Sequence, residues 1–257
     1  MNSIEKSVSI KERFAGVDVA SYNKEDVVKT KLAVFDFDET LVHSKHVFRQ
    51  VNNMAMEMLG LPHNDYIVAN IYALYKTQYI GWGKNLEEQQ EIYHSKFNPL
   101  VSSLSADPRF YKQMEFYLDM KDVIKQLAKT NIALAVASSR DLKSILRFLD
   151  YEGVRNHFEM VQATEGGLIF DDKPSTQVVD WISTEVGIST DNAVMIGDSS
   201  CDVQMGKKAG MKTIGIGYGS FTSAEKIALE EPDYLLKDEK EIKNLPAVIS
   251  KLLSNER

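Results

Sequence analysis

Lys31-Leu32-Ala33-Val34-Phe35-Asp36-Phe37-Asp38-Glu39-Thr40-Leu41 is an apolar run that ends in two carboxylates two residues apart. Its first five residues read as a short buried strand, because parallel strands covered on both faces look like continuous apolar runs. Alternation along a strand sends Asp36 and Asp38 to the same side, with a looser pairing if Asp38 already lies in the loop. Like charges held that close raise a carboxylate pKa unless a cation or a shared proton intervenes, so the pair asks for a metal.

Working outward, the chain beyond residue 119 alternates short apolar strands with helical segments, the pattern of a parallel α/β sheet. Strands are predicted over 132–137, 158–162, 192–196 and 212–216, with a last one near Tyr234, and helices over 141–150, 176–186 and 202–209. Gly210 is placed to stop the last of these helices. Residues 44–118 break the rhythm: Met54, Met58 and Leu61, then Tyr72, Tyr75 and Tyr79, recur at helical spacing. The expected architecture is a Rossmann-like, three-layer α/β/α core over 31–43 and 119–257 with a helical cap domain inserted at 44–118. The insertion follows the first strand and so hangs over the carboxyl ends of the sheet, where open α/β folds bind ligands. Such a lid can exclude water and read the substrate. Residues 1–30 are expected to form an N-terminal arm.

Four strand ends now carry polar groups: Asp36 and Asp38; Ser138 and Ser139; Lys173 ahead of Pro174; and Gly197-Asp198-Ser199-Ser200-Cys201-Asp202. In order and content they resemble the haloacid-dehalogenase-like superfamily of phosphohydrolases, whose first motif is Asp-x-Asp-x-Thr and whose last is Gly-Asp-x-x-x-Asp. The resemblance covers roughly residues 31–250, and the cap looks like that of phosphoglycolate-phosphatase-like members. It implies a Mg2+-dependent phosphatase acting on a small phosphorylated metabolite through an aspartyl-phosphate. Asp36 would be the nucleophile and Asp38 the acid-base partner. Ser138, Ser139 and the amides opening the next helix would hold phosphoryl oxygens, with Lys173 adding positive charge. Asp36, the main-chain carbonyl of Asp38 and Asp198 would supply the oxygen shell that Mg2+ prefers. Asp202 would stand behind the metal or hold Lys173, and Thr40 would orient the first motif.

Three positions depart from the family pattern, one of them His43, which stands where this cap class often has Asp. Glu39 replaces a usual Gly, and Asp172-Lys173-Pro174 stands where Gly-Lys-Pro is usual. Taken singly, each motif also has a structural reading: Ser138 or Ser139 as a helix cap, Lys173 as a solvated lysine, Asp202 as a partner of a helix dipole. His43 and His46, three apart, lack the further ligands of a zinc site and read as surface or hinge residues. The methionine and tyrosine stripes read as cap packing, while Gly81-Trp82-Gly83-Lys84 is a turn that could reach over the site.

The 257 residues are 44% hydrophobic with a formal charge of −7 and no dense basic block, so a duplex-binding surface is not expected. The apolar stretches are strand-sized, and residues 1–30 contain no signal-like apolar segment, which gives an expectation of a cytoplasmic protein not bound to membrane. Cys201 is the single cysteine and cannot form an intrachain disulfide. A sugar-phosphate phosphomutase, a hydrolytic dehalogenase and a non-catalytic phosphometabolite-binding protein are the rival functions on the same scaffold. The dehalogenase reading is weakened by Asp38 and Asp198. Over 44–118, seven Lys/Arg balance seven Asp/Glu, so the insertion carries no basic trap for a second phosphate.

Overall fold

The computed structural model describes residues 27–164, 169–219 and 222–254. Residues 1–26 fall outside this set, and with them nearly all of the arm expected over 1–30. One sheet contains β1 (Lys31–Phe35), β4 (Ile132–Ser138), β5 (Met160–Ala163), β6 (Ala193–Gly197), β7 (Lys212–Ile216) and β8 (Tyr234–Leu236). The order is β5-β4-β1-β6-β7-β8 and every pairing is parallel. β1 therefore lies between β4 and β6, where successive crossovers turn from one half of the sheet to the other. Ligands of open α/β sheets bind at such a switch point, beyond the carboxyl ends of the strands.

Strand alternation divides the core into two layers. Ala33 and Phe35 of β1 pack with Val123, Ile124 and Leu127 of α6 (Met120–Ala128) and Ile145, Phe148 and Leu149 of α7 (Leu142–Tyr151). Ile249 and Leu253 of α11 (Leu245–Leu253) complete that side. Leu32 and Val34 face the opposite way, onto Val178, Val179 and Ile182 of α8 (Gln177–Val186) and Met205 of α9 (Ser200–Lys208). The result is the α/β/α sandwich that the apolar runs predicted. Helix starts differ by a residue or two from expectation for a local reason: α9 begins at Ser200 because Ser199 and Asp202 close a capping box around its first turn.

Between β1 and β4 the chain forms α1 (Lys45–Leu59), α2 (Asp65–Thr77), α3 (Leu86–Ile92), a π-helical turn (Tyr93–Phe97), α4 (Asn98–Ser105) and α5 (Pro108–Tyr111). The segments entering and leaving these helices pair as β2 (Val42–His43) and β3 (Glu115–Phe116), antiparallel. Aromatic packing holds the insertion together: Tyr75 stacks on Tyr93 with ring centroids 3.5 Å apart, and Trp82 lies 5.1 Å from Phe97. Trp82 is fully buried and its indole N–H donates to the carbonyl of Pro62 at 2.9 Å. The 81–84 turn thus anchors the insertion's own core. His46 bonds the carbonyl of Gln113, and the His43 ring packs on Tyr117, so the two histidines serve different contacts. No helix of the described residues is long and apolar enough to cross a membrane.

Glu39 has a structural account. It sits at φ 56°, the left-handed conformation in which Gly is usual. One carboxylate oxygen accepts the backbone N–H groups of Ser44 and Lys45, each at 2.8 Å, and the other accepts the Tyr117 hydroxyl at 3.2 Å. Ser44, the residue preceding α1, makes no side-chain cap, so Glu39 satisfies helix-start donors from five residues upstream. Charge-assisted bonds to otherwise orphaned donors compensate for the left-handed strain. Glu39→Ala keeps the strain and removes the bonds, and is expected to lower unfolding free energy by about 1–3 kcal/mol. Glu39→Gly, with the strain relieved, should fall between Ala and wild type in urea unfolding.

Candidate active site

A cavity of about 560 Å³ opens over the carboxyl ends of β1, β4 and β6, roofed by α1, α2 and α4. Its lining includes Asp36, Asp38, Ser138, Ser139, Lys173, Asp198 and Asp202, so all the predicted site residues except Thr40 meet there. Thr40 lies beneath, fully buried, with its hydroxyl 3.5 Å from Asp36 Oδ2.

Lys173 is the centre of the floor. Its ammonium donates to Asp36 Oδ1 and Asp202 Oδ1, both at 2.7 Å, and all three side chains are at most 10% exposed. Burial works against the lysine's charge, yet Asp202 and Asp36 outweigh it and hold Lys173 above the usual lysine range. Burial pushes Asp36 up to about 7 even against the attraction of Lys173. Asp198 is also raised well above its ordinary value, first by burial and then by the charges of Asp36 and Asp202. Asp198 Oδ2 is buried and has no hydrogen-bond partner.

One oxygen each from Asp36, Asp198 and Asp202 lie within 4.8 Å of one another. An all-carboxylate set with an unpartnered buried oxygen fits a hard divalent cation. Asp202 is already engaged: one oxygen takes Lys173, and the other accepts the Ser199 hydroxyl at 2.6 Å and its N–H at 3.2 Å. Both sequence readings of Asp202 therefore coexist, as lysine holder and as first-turn helix residue. Gly197 makes this possible, because a Cβ there would lie 2.4 Å from Asp202 Cγ. Gly219 likewise lets the loop after β7 close on the floor, where a Cβ would lie 2.7 Å from Asp198 Cβ and 2.8 Å from the Glu39 carbonyl.

The helix after β4 is capped by Asp141, whose carboxylate accepts the Ser144 N–H at 2.8 Å and its hydroxyl at 2.7 Å. The capping reading of Ser138 and Ser139 thus gives way: both residues line the cavity, and the Ser138 hydroxyl accepts the Arg140 N–H at 3.2 Å. Sequence reading missed Arg140. Its guanidinium grips the Asp38 carboxylate in a fork, Nε at 2.9 and 3.0 Å from the two oxygens and Nη2 at 2.7 Å from one. The available signal was its position directly after Ser138-Ser139, at a strand end already marked for chemistry. Tyr72 was also missed, since it faces the cavity rather than the insertion's interior alone.

A model of haloacid dehalogenase-like hydrolases matches residues 33–216, which span the floor and the insertion. The chain belongs to the haloacid dehalogenase-like hydrolase family. It is an enzyme, and its resemblance is to the phosphatase branch. A phosphoglycolate phosphatase of Vibrio vulnificus is 27% identical over 217 residues, 80% of this chain and 91% of the relative. A hydrolase from Pseudomonas syringae matches in fold with TM-score 0.66 at 15% identity, covering 86% of this chain and 99% of that one. A predicted phosphoglycolate phosphatase from Haemophilus somnus 129pt gives TM-score 0.61 at 20% identity, covering 86% of this chain and all of its own.

The charge arrangement makes a prediction in the family member itself. Removing Lys173 leaves Asp36 and Asp202 buried without a cation, and Lys173→Met is expected to cost about 3–5 kcal/mol of stability at pH 8. A carboxylate whose folded pKa is raised binds a proton in the folded state before the unfolded one does, so its ionisation opposes folding as pH rises through the folded value. Lys173 holds Asp36 down at about 7, so its loss raises the Asp36 carboxyl further, the variant gains more than wild type as pH falls to 5, and the deficit should shrink there. Urea unfolding of both proteins at the two pH values measures it.

Proposed function

We propose that the chain is a Mg2+-dependent phosphatase that hydrolyses the monoester of a small phosphorylated cytoplasmic metabolite through an aspartyl-phosphate. The observation that carries this reading is the buried trio of Asp36, Lys173 and Asp198, whose Oδ2 has no hydrogen-bond partner, on the floor of a roofed cavity. A phosphoryl group entering there meets a carboxylate nucleophile backed by a fixed cation. Asp36 Oδ attacks phosphorus and the bond to the leaving oxygen breaks, with Asp38 supplying the proton that oxygen needs. Asp38 then takes a proton from the water that attacks the same phosphorus, and the Asp36–phosphorus bond breaks to free phosphate. Splitting one displacement in two and moving protons from a placed carboxyl are each general sources of rate, the second worth about 10²–10⁴-fold.

Arg140 acts on Asp38. Its fork fixes the direction of the Asp38 carboxylate in the ionised form, the form that takes a proton from the attacking water. Ser138 and Ser139 with the amides that follow them take the phosphoryl oxygens, and Lys173 places positive charge beside the nucleophile. The groups that would hold Mg2+ are Asp36, Asp198 and the main-chain carbonyl of Asp38, with Asp202 behind them. Bound there, the ion offsets the negative charge of carboxylates crowded against a phosphate.

Asp36→Asn should reduce turnover of an aryl phosphate by about 10³-fold or more in a protein that still folds, because Lys173 keeps Asp202 as its counter-charge. Turnover close to wild type would remove Asp36 from the nucleophile's role. A divalent-metal chelator should stop hydrolysis and added Mg2+ should restore it, read as phosphate release. Activity indifferent to the chelator would reject the metal assignment.

A further inference from the structure

The floor of the cavity is crowded with charge, whereas the wall that the insertion contributes is neutral. Among the described lining residues none from α1, α2 or α4 is charged. The polar groups they offer are amides and hydroxyls: Asn52, Asn70, Tyr72, Asn98, Ser102 and Ser105. Asn52 is 1% exposed, donates through Nδ2 to the Val68 carbonyl at 3.3 Å, and has no partner for its Oδ1. Phe48 and Tyr72, with ring centroids 5.2 Å apart, add an apolar face to the same wall.

Two cations line the described cavity, Lys173 and Arg140, and both are already bound to carboxylates. Five aspartates line it: Asp36, Asp38, Asp141, Asp198 and Asp202. An anion beyond the transferred phosphoryl group would find no uncommitted positive charge there and would face surplus negative charge. A carboxylate withdrawn from water without a charged partner is strongly disfavoured, and neutral amides offset that only in part. Size argues in the same direction. The cavity is within the roughly 300–1,000 Å³ of small-molecule pockets, and a two-carbon leaving group would leave most of it unfilled.

We infer that the leaving group this cavity accepts is uncharged and ring-sized, a sugar or nucleoside moiety whose hydroxyls meet the wall's amides and hydroxyls, and not a carboxylate or a second phosphate. The inference rests on the phosphatase reading above and names its substrate class. It separates this chain from the substrate in the name of its Vibrio vulnificus relative.

The test is steady-state kcat/KM with Mg2+ for hexose phosphates and nucleoside 5′-monophosphates against 2-phosphoglycolate and pyrophosphate, with an aryl phosphate as reference. The best ester of an uncharged group should exceed both charged competitors by about tenfold or more. Aryl phosphate turnover together with equal or better use of phosphoglycolate or pyrophosphate would overturn this inference and leave the phosphatase reading standing. No turnover of any ester, aryl phosphate included, would defeat both. Two variants place a cation in the wall, Ser102→Lys and the exposed Asn70→Lys, so that one remains usable if the other does not fold. Each should move the ratio toward phosphoglycolate by about fivefold or more, and a ratio unmoved in a folded variant would also overturn the inference.

Discussion

Lys173 between Asp36 and Asp202 is the contact on which the rest of the site depends. A lone buried ammonium or carboxylate has a desolvation cost of several kcal/mol, and three such groups coexist here because each is within 2.7 Å of an opposite charge. The triad draws together three segments remote in sequence: the end of β1, the loop before α8 and the first turn of α9. Their approach in turn dictates the small residues around it. Gly197 has no room for a Cβ against Asp202, and Gly219 has none against Asp198 and the Glu39 carbonyl. One lysine does not balance the whole cluster. Asp198 keeps a buried oxygen without a partner, so the floor retains a deficit of positive charge that a cation would fill.

The same triad reaches the roof. Asp172, adjacent to Lys173, pairs with Lys76 near the end of α2, so the loop that carries the floor's lysine also carries a link to the insertion. Both side chains of that pair are partly solvated, which makes the link weak and reversible beside the buried triad. Glu39 makes a second link, joining the turn after β1 to the start of α1 and to Tyr117. The turn that positions Asp38 is therefore continuous with the support of the first roof helix. A residue that departs from the family's usual glycine gains a purpose from this, since its side chain does what Ser44 does not.

Sequence alone made most of the floor legible because Asp36, Asp38, Ser138, Ser139 and Asp198 stand at strand ends, and strands announce themselves as apolar runs of five or six residues. Leu32 to Phe35 and Ala193 to Ile196 are buried throughout, so the period-two pattern collapses to continuous hydrophobicity and the first polar residue marks the site. The parallel order of the sheet followed from the strand and helix alternation. The roof was less legible, for a physical reason. A helix presents three or four faces, and a stripe such as Tyr72, Tyr75 and Tyr79 does not say which member meets its own core and which meets a ligand: Tyr75 is buried on Tyr93, Tyr79 is exposed, and Tyr72 lines the cavity. Trp82 looked available because it stands between glycines, yet its burial is set by Phe97, fifteen residues away, and the Pro62 carbonyl. Arg140 was hidden because its role is defined by Asp38, 102 residues earlier.

Floor and wall are consequently under different constraints. Apart from Asp198, the charged groups on the floor are held by another charged group or by a capping network, so changing one disturbs the burial of its partners. The wall's polar residues are on helix faces and several are tied only to local backbone, as Asn70 is to the Tyr66 carbonyl. A change from Ser102 or Asn98 to a charged residue leaves the triad and the Arg140–Asp38 fork intact. Reaction type can therefore be kept while the acceptable leaving group changes. A relative of 27% identity is expected to share the first more faithfully than the second. The chemistry of the wall, read residue by residue, is the sounder guide to what this chain hydrolyses.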